Sequence, residues 1–330
     1  MQIDFKHLQP SNQYGAYAVI RNVLPLFALL AVAPLLAART LAAAWLLAPL
    51  IGLFLYKVTI VMHDCVHRTL FRSSRVNGWS AALLGAVTGI DVGRFRTLHM
   101  KHHRTYGRSE DPQGFHYLGV ERASRAQFAW HLLKPLFGAN ARYVVRETLL
   151  HPGNLWRATR RGDAILFATV QLLMFSIVTG GGRYLSLALL PFASAATFGL
   201  FLSQLRGLAE HGARHAADQA GLVRSHSTRM LERVLLYDLN FNYHSAHHRW
   251  PQCPSCHLPL VHERYLAEEV PLESGMLATV LAIKYSRASV RSAPIVPGCT
   301  PPAAPRRDAS TDSRLRRRPR RTSVRPGSAS

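Results

Sequence analysis

The chain has 330 residues, of which 48% are hydrophobic, and a formal net charge of +22 from 40 Lys and Arg against 18 Asp and Glu. So strong a charge favours an anionic partner, either nucleic acid or a membrane surface. Apolar and basic residues occupy separate stretches, which is typical of a polytopic membrane protein with basic cytoplasmic loops. Aromatic and basic residues are not interleaved in the sequence, so it does not indicate a nucleic-acid interface. The four cysteines give no disulfide framework and favour a reducing compartment.

The chain begins with a polar arm and a helical hairpin. Residues 1–19 are polar to mixed and are predicted to form a cytoplasmic arm. Two apolar runs follow, at 20–38 and 41–62, and each is close to the roughly 20 residues that span about 30 Å of hydrocarbon. Because only Arg39 and Thr40 separate them, we expect a hairpin that crosses the membrane and returns.

The middle of the chain contains a short apolar run and a long basic stretch. Residues 79–93 are apolar and glycine-rich but too short to span, so they are predicted to form an interfacial or re-entrant segment. Residues 104–163 are basic and irregular, which favours cytoplasmic loops and short helices. A second hairpin is predicted from the apolar runs 164–179 and 184–205.

The basic residues predict the topology. The two hairpin turns carry only Arg39 and Arg183, whereas the segments on the other side carry many Lys and Arg. The positive-inside rule places that side, with both termini, in the cytoplasm. Residues 20–292 are therefore predicted to form one all-α membrane domain, with four crossings in two hairpins and a cytoplasmic helical cap. Residues 293–330 are basic and proline-rich, and they are predicted to form a disordered tail.

Ten histidines lie in four short clusters beside the apolar runs. Two clusters have the spacing HxxHH and two have HxxxH. Positions i, i+3 and i+4 lie on one face of a helix, so the imidazoles of a cluster can converge. The predicted topology brings all four clusters to the cytoplasmic face. The clusters are His63 and His67; His99, His102 and His103; His211 and His215; and His244, His247 and His248.

A metal centre is the first explanation for these clusters. Imidazole suits Fe, Zn and Cu, whereas Ca and Mg prefer oxygen ligands. One zinc ion uses about four ligands, so ten histidines exceed the needs of one ion and match two. Two neighbouring irons can use O2 to oxidise a strong C–H bond, which zinc cannot do. A non-redox zinc-binding membrane protein or metal carrier is the alternative from a different class.

Three of the segments resemble the histidine boxes of the integral-membrane fatty acid desaturases and their hydroxylase and ketolase relatives. They are HDCVH at 63–67, HMKHH at 99–103 and NYHSAHHRWP at 242–251, here named box one, box two and box three. The resemblance extends over roughly residues 45–265. It implies a non-haem di-iron centre with the eight box histidines as ligands. His211 and His215 are added because they stand where the stearoyl-CoA desaturases have an NxxxH element, with His in place of Asn at 211.

The resemblance also implies an activity. It is that of an O2-dependent oxidoreductase, a fatty acid desaturase that introduces a double bond into an acyl chain carried on a lipid, CoA or a carrier protein. We expect a bacterial inner-membrane location with a cytoplasmic active site. No cytochrome b5 domain is recognised, so a separate ferredoxin or similar carrier is expected to supply electrons. The alternatives are a hydroxylase or ketolase, or a desaturase of a small amphipathic natural product.

Other polar residues near the boxes have weaker assignments. A carboxylate often orients a ligand imidazole through its other N–H group, and the candidates here are Asp64, Asp111 and Glu210. The c-type haem pattern CPSCH at 253–257 requires the opposite side of the membrane. The HPGN at 151–154, similar to a cytochrome b5 motif, has no such domain around it. The remaining histidines considered are predicted not to bind metal: His7, His116, His131, His151, His226 and His262.

Overall fold

A computed structural model describes residues 7–142, 161–213 and 223–285. These residues are mostly helical, which confirms the all-α prediction. The predicted ligand His215 and the predicted tail at 293–330 lie outside the described residues. The α-helices, in chain order, are α1 (Asn12–Ala37), α2 (Leu41–Trp45), α3 (Ala48–His67), α4 (Ser74–Thr88), α5 (Val92–Thr105), α6 (Arg125–Leu133), α7 (Arg161–Thr179), α8 (Leu190–Ser194), α9 (Leu200–His211), α10 (Met230–Leu235), α11 (His244–Arg249), α12 (Leu258–Tyr265) and α13 (Met276–Tyr285).

Three helical segments are long and apolar enough to cross a membrane. They are Asn12–Ala37, Leu41–His67 and Leu185–His211, which agree with three of the four predicted crossings. The remaining predicted crossing falls on α7, whose apolar part, Asp163–Thr179, is shorter than the other three. A fourth crossing, and with it the arrangement in two hairpins, stays a prediction.

The first crossing, α1, presents one buried stripe and leaves the rest of its surface apolar and exposed. Its N-terminus is capped by Ser11, whose hydroxyl accepts a hydrogen bond from the backbone N–H of Tyr14 at 3.3 Å. Leu26 and Leu30, four residues apart, are completely buried. Leu24 and Leu35 are 66% and 69% exposed, as expected for side chains that face hydrocarbon.

The first two histidine boxes lie at the ends of consecutive helices. Box one is the last turn of α3, which ends where Arg68 adopts a left-handed conformation. After α4, Gly89 has a φ of 77°, a value that glycine adopts without steric cost. Asp91 then caps α5, because its carboxylate accepts a hydrogen bond from the N–H of Arg94 at 3.1 Å. The predicted segment 79–93 is therefore helix, turn and cap, and it delivers box two on α5.

The last crossing contains a π-helical segment, Ala195–Gly199, between α8 and α9. This segment lies directly against α3. A Cβ atom on Gly52 would lie 2.6 Å from the carbonyl oxygen of Ser194 and 2.7 Å from Cβ of Phe198, so only glycine permits the approach. Single π turns are frequent near functional sites. The segment joins α9, which ends at His211.

Residues 223–285 pack around the ends of these helices. Strands β1 (His226–Ser227) and β2 (Glu273–Ser274) pair in parallel. A hydrophobic cluster packs α9 against α13, with Leu208, Tyr237 and Met276 at its centre. The segment therefore rests on α9 and brings box three, on α11, toward the other two boxes.

A buried polar cluster ties this segment to the first two crossings. The fully buried carboxylate of Asp238 forms ion pairs with Arg21 on α1 and, at 3.6 Å from Nζ, with Lys57 on α3. Nδ2 of Asn22 also donates a hydrogen bond to Oδ2 of Asp238 at 2.8 Å. Leu239, the next residue, has a φ of 55°, which costs a residue of this type roughly 1–2 kcal/mol. The cluster thus anchors strained backbone just before box three.

Candidate metal centre

Nine of the ten predicted ligand histidines lie in two compact groups. Within each group, one nitrogen from every residue lies within 4.8 Å of the others. The first histidine group is His63, His67, His99, His103 and His247, and the second is His102, His211, His244 and His248. The tenth predicted ligand, His215, cannot be assigned to either group from the described residues.

The two HxxHH boxes divide between the groups in a reciprocal way. In box two the outer histidines, one helical turn apart, join the first group, and the middle one, His102, joins the second. In box three the outer histidines join the second group, and His247 joins the first. Box two and box three therefore each contribute to both groups, so the two sites are neighbours built on shared helices.

The first histidine group converges on one nitrogen. Nε2 of His99 lies 2.7 Å from Nε2 of His63, 2.8 Å from that of His67 and 2.9 Å from that of His103. A neutral imidazole has one N–H donor and one lone pair, so His99 can donate in at most one of these contacts. Hydrogen bonds alone therefore do not account for these close nitrogens, whereas a shared cation would.

The second histidine group has the same character. Nε2 of His211 lies 2.9 Å from Nε2 of His244. Among the described residues, both ring nitrogens of His248 lack a hydrogen-bond partner, and so does Nδ1 of His244. Buried polar atoms are rarely left without partners, and such atoms often belong to a site for an ion.

The electrostatic environment keeps five of these imidazoles neutral. Burial, and then the proximity of other histidines, holds the pKa of five box histidines well below the usual range; they are His99, His103, His244, His247 and His248. Metal ligands must be deprotonated, because the lone pair binds the ion. Nitrogen-only groups of five and four fit iron, zinc or copper and do not fit magnesium or calcium.

Asp111 is placed as a carboxylate that orients a ligand. Nδ1 of His102 lies 2.9 and 3.0 Å from the two carboxylate oxygens of Asp111. A proton on Nδ1 would donate to this carboxylate and leave the lone pair of Nε2 for the second group. The hydroxyl of Tyr117 and, at 2.8 Å, the backbone N–H of Gln113 also donate to this carboxylate. Burial alone would raise the pKa of Asp111, but the hydrogen bond and charge interaction with His102 hold it below its usual value.

The other two candidate carboxylates have different surroundings. Oε2 of Glu210 lies 3.3 Å from Nε2 of His244, while its Oε1 accepts from Nε of Arg206 at 2.6 Å. Glu210 therefore faces the inward nitrogen of this imidazole and not the outer one. The oxygens of Asp64 accept hydrogen bonds from the hydroxyls of Thr69 and Ser255, so its described contacts stabilise the end of box one. The role predicted for Asp64 stays a prediction.

Several residues around the groups had no recognisable signal in the sequence. Phe241, completely buried, packs its edge against His63 and His247, with ring centroids 4.8 and 4.9 Å away. Phe95 stacks on His99 at 5.6 Å. Their positions gave the only hint: Phe95 lies four residues before His99 on α5, where i and i+4 side chains meet, and Phe241 lies three residues before His244.

A cavity of about 500 Å3, here the inner cavity, opens beside the first histidine group. His99 and Phe95 form part of its wall, and Thr59 and Gln113 add polar groups. His116 also lines it and lies outside both histidine groups; its non-ligand role stays a prediction. The volume lies within the roughly 300–1,000 Å3 of typical ligand pockets.

Comparison with known proteins places the chain in a family. A family model described as fatty acid desaturase matches residues 14–277. The sphingolipid delta(4)-desaturase/C4-monooxygenase of Rattus norvegicus is 27% identical over 229 residues, which cover 66% of this chain and 64% of that protein. The human sphingolipid delta(4)-desaturase is 26% identical over 218 residues, covering 62% and 60%.

These alignments span less than two thirds of the length of the curated relatives, whereas the family model covers most of this chain. The resemblance of the three histidine boxes is thereby confirmed at the level of the family. The chain belongs to the fatty acid desaturase family, and its three long apolar helices indicate an integral membrane protein.

Proposed function

We propose that the protein is an O2-dependent membrane desaturase that introduces a double bond into a fatty acyl chain. The observation that carries this proposal is the pair of adjacent histidine groups at the wall of a ligand-sized cavity. The activity in the printed names of the relatives, desaturation of a sphingolipid, supports the reaction class. Their specific substrate is not carried over to this chain.

The ten predicted histidines would hold two iron ions. The first group is complete with five imidazoles, whereas the second has four. Box one contributes both of its histidines to the first group. By analogy, we infer that the HxxxH at 211–215 contributes both of its histidines to the second group. His215 is therefore proposed as the fifth ligand there, which gives five nitrogens at each ion.

A di-iron pair bound there would supply the reductive activation of O2 that oxidation of an unactivated CH2 group requires. The balanced reaction joins one CH2–CH2 unit with O2, two electrons and two protons, and it yields CH=CH and two water molecules. The residues around the pair keep the imidazoles in position. Asp111 holds His102 by its Nδ1, and Phe241 and Phe95 exclude water from the first group.

The electrons are proposed to come from a separate ferredoxin or a similar carrier. Basic side chains on the outer surface of α5 are exposed near box two, among them Arg96, Lys101 and Arg104. Such a surface can attract an acidic redox protein through long-range electrostatics. The location is proposed to be a bacterial inner membrane, with four crossings, both termini and the site on the cytoplasmic side, because the basic segments lie on that side of the predicted crossings.

Hydroxylation is the second candidate reaction. It is favoured by the name of the rat relative, which includes both a desaturase and a C4-monooxygenase. Both outcomes begin with removal of one hydrogen, and the placement of the neighbouring carbon decides between a double bond and an alcohol. A ketolase and the desaturation of a small amphipathic natural product are further variants of the same chemistry.

The proposal is tested by expression in a lipid-producing host with a ferredoxin and its reductase. We expect new unsaturated products by mass spectrometry, and their formation should stop without O2. Products that gain oxygen without losing hydrogen would favour the hydroxylase. A protein that holds only zinc, and produces no O2-dependent product, would contradict the proposal and favour the non-redox zinc protein.

A further inference from the structure

A second cavity lies deeper among the membrane-crossing helices. This apolar cavity has a volume of about 600 Å3 and lies between α3, α4, α7 and α8. Phe167, Met174 and Phe192 are typical of its walls. None of its described lining residues is charged, and the side-chain amide of Gln171 donates to the carbonyl of Ala86 at 2.6 Å. A ligand of this space would be an alkyl chain.

The outer wall of the apolar cavity faces outward from the protein. Leu172, Phe175 and Leu189 line it, and they are 68%, 42% and 66% exposed. In an integral membrane protein, exposed apolar side chains of this kind on α7 and the last crossing contact hydrocarbon. The deeper wall is formed by buried residues such as Val87 and Val178. The cavity is therefore accessible from the side, at the level of the lipid chains.

Three residues separate the apolar cavity from the inner cavity. Leu55, Thr88 and Ala195 line both. The hydroxyl of Thr88 donates to the carbonyl of Leu84 at 3.0 Å, so this partition offers no spare hydrogen donor to a passing chain. Next to it, a Cβ atom on Gly89 would meet nothing within 4 Å, which leaves open space. The partition is narrow and apolar.

The polarity of the two cavities changes steadily along this path. The inner cavity has a rim with charged side chains, Arg94, Lys101 and Glu110, and then passes His99. Beyond the partition the lining is uncharged and reaches hydrocarbon. A lipid in a bilayer has the same order, with a polar head at the aqueous surface and a chain in the hydrocarbon.

We propose that the substrate is a lipid resident in the bilayer. Its chain runs from the rim of the inner cavity past the histidine groups and between Leu55, Thr88 and Ala195, so that the end of the chain lies in the apolar cavity. The chain enters sideways from the hydrocarbon that the outer wall of the apolar cavity faces. The inference rests on the proposed function and narrows it, since it excludes acyl-CoA and acyl carrier protein as the working substrates. The polar head stays at the rim formed by Arg94, Lys101 and Glu110.

The test is photolabelling of the full-length, iron-loaded protein in phospholipid vesicles. The two probes carry the same acyl chain with a terminal diazirine, one as phosphatidylcholine within the bilayer and one as acyl-CoA added from solution. We expect the phosphatidylcholine probe to label the walls of the apolar cavity, around Met174 and Phe192, and the acyl-CoA probe to label them at least about tenfold less. This readout does not depend on turnover, so the binding path and the proposed reaction can fail separately.

Two variants block the partition from opposite walls. Ala195→Trp and Thr88→Phe should each reduce labelling of the walls of the apolar cavity, around Met174 and Phe192, by about tenfold, because the end of the chain is then held in the inner cavity. Ala31→Trp, at an exposed position on α1, adds the same bulk outside the path and should change nothing. Equal labelling by acyl-CoA, or unchanged labelling around Met174 and Phe192 in both blocked variants, would overturn the proposal. Lipid labelling of the path without any product would leave the path intact and refute the desaturase.

Discussion

The two histidine groups use the same ligand type but are supported in different ways. Four of the five residues of the first group come from box one and box two, on helices close in sequence, and aromatic rings cover it. The second group draws on α5, α9 and α11, and the charged side chains of Asp111, Glu210 and Arg206 surround it. Local helix packing thus builds one group, and long-range polar contacts build the other.

This difference has consequences for metal retention. The first group should tolerate changes to its surroundings, because consecutive helices fix most of its ligands. The second should depend on its carboxylates, because its ligands come from segments far apart in the chain.

Box two and box three each contribute a single histidine to one of the two groups, and loss of either of these histidines should abolish turnover. His247→Ala removes the single box-three ligand of the first group, and His102→Ala removes the single box-two ligand of the second. Each variant should insert into the membrane normally but retain less iron, measured by metal analysis of the purified protein. His262→Leu changes another buried histidine, outside both groups, and serves as the control. Near-normal turnover in either alanine variant would contradict the ligand assignment.

Asp111→Asn should lower metal affinity or activity about 10- to 100-fold, as is typical when the partner of a ligand imidazole is changed. The loss should fall on the second group, so about half of the iron should be lost and the remainder retained. Gln113→Ala, whose side chain lies 3.4 Å from Nδ1 of His99, should have a much smaller effect on the first group. Equal effects of the two substitutions would refute the contrast between the groups.

Asp238→Asn should destabilise the protein by about 1–3 kcal/mol, because it removes the negative charge of a fully buried carboxylate that pairs with the largely buried Lys57 and with Arg21, whose side chain is 35% exposed. The anchored backbone leads into box three, which serves both groups, so iron should be lost from both. Unfolding in detergent, followed with metal content, measures this. Arg39→Gln, a charge change in the exposed turn after α1, is the matched control. A selective loss from one group would contradict this prediction.

His262 should produce the smallest effect, and one that depends on pH. It is 2% exposed, and burial lowers its pKa, so it stays neutral in the folded protein while the unfolded chain is protonated below about pH 6.5. Its contribution to stability is therefore present above that pH and is lost as the pH falls. His262→Leu should raise the unfolding temperature more at pH 5 than at pH 8. An equal shift at both values would refute the titration account.

Much of the arrangement could be predicted from the sequence because it depends on local rules. Apolar length gave three crossings that the structure supports, and the i, i+3, i+4 spacing brought the box histidines together. The pattern could not assign each histidine to a group, since this depends on the angle at which α5 and α11 face each other. The shorter helix α7 leaves the fourth crossing undecided by length.

Long-range contacts explain what the sequence could not indicate. Asp111 was a candidate because it follows box two closely, and its contact with His102 matches that expectation. Asp64 lies inside box one, yet its carboxylate is directed to Ser255, which is 191 residues away along the chain. The burial of Asp238 against α1 and α3 and the two cavities likewise arise only when distant helices pack.

Metal analysis of the purified protein, combined with O2 dependence, decides whether the two histidine groups hold two irons. We expect about two iron ions per chain, falling by about half in Asp111→Asn, and product formation that requires O2. A single ion, zinc alone, or turnover that persists without O2 would contradict a two-iron centre built from these two histidine groups.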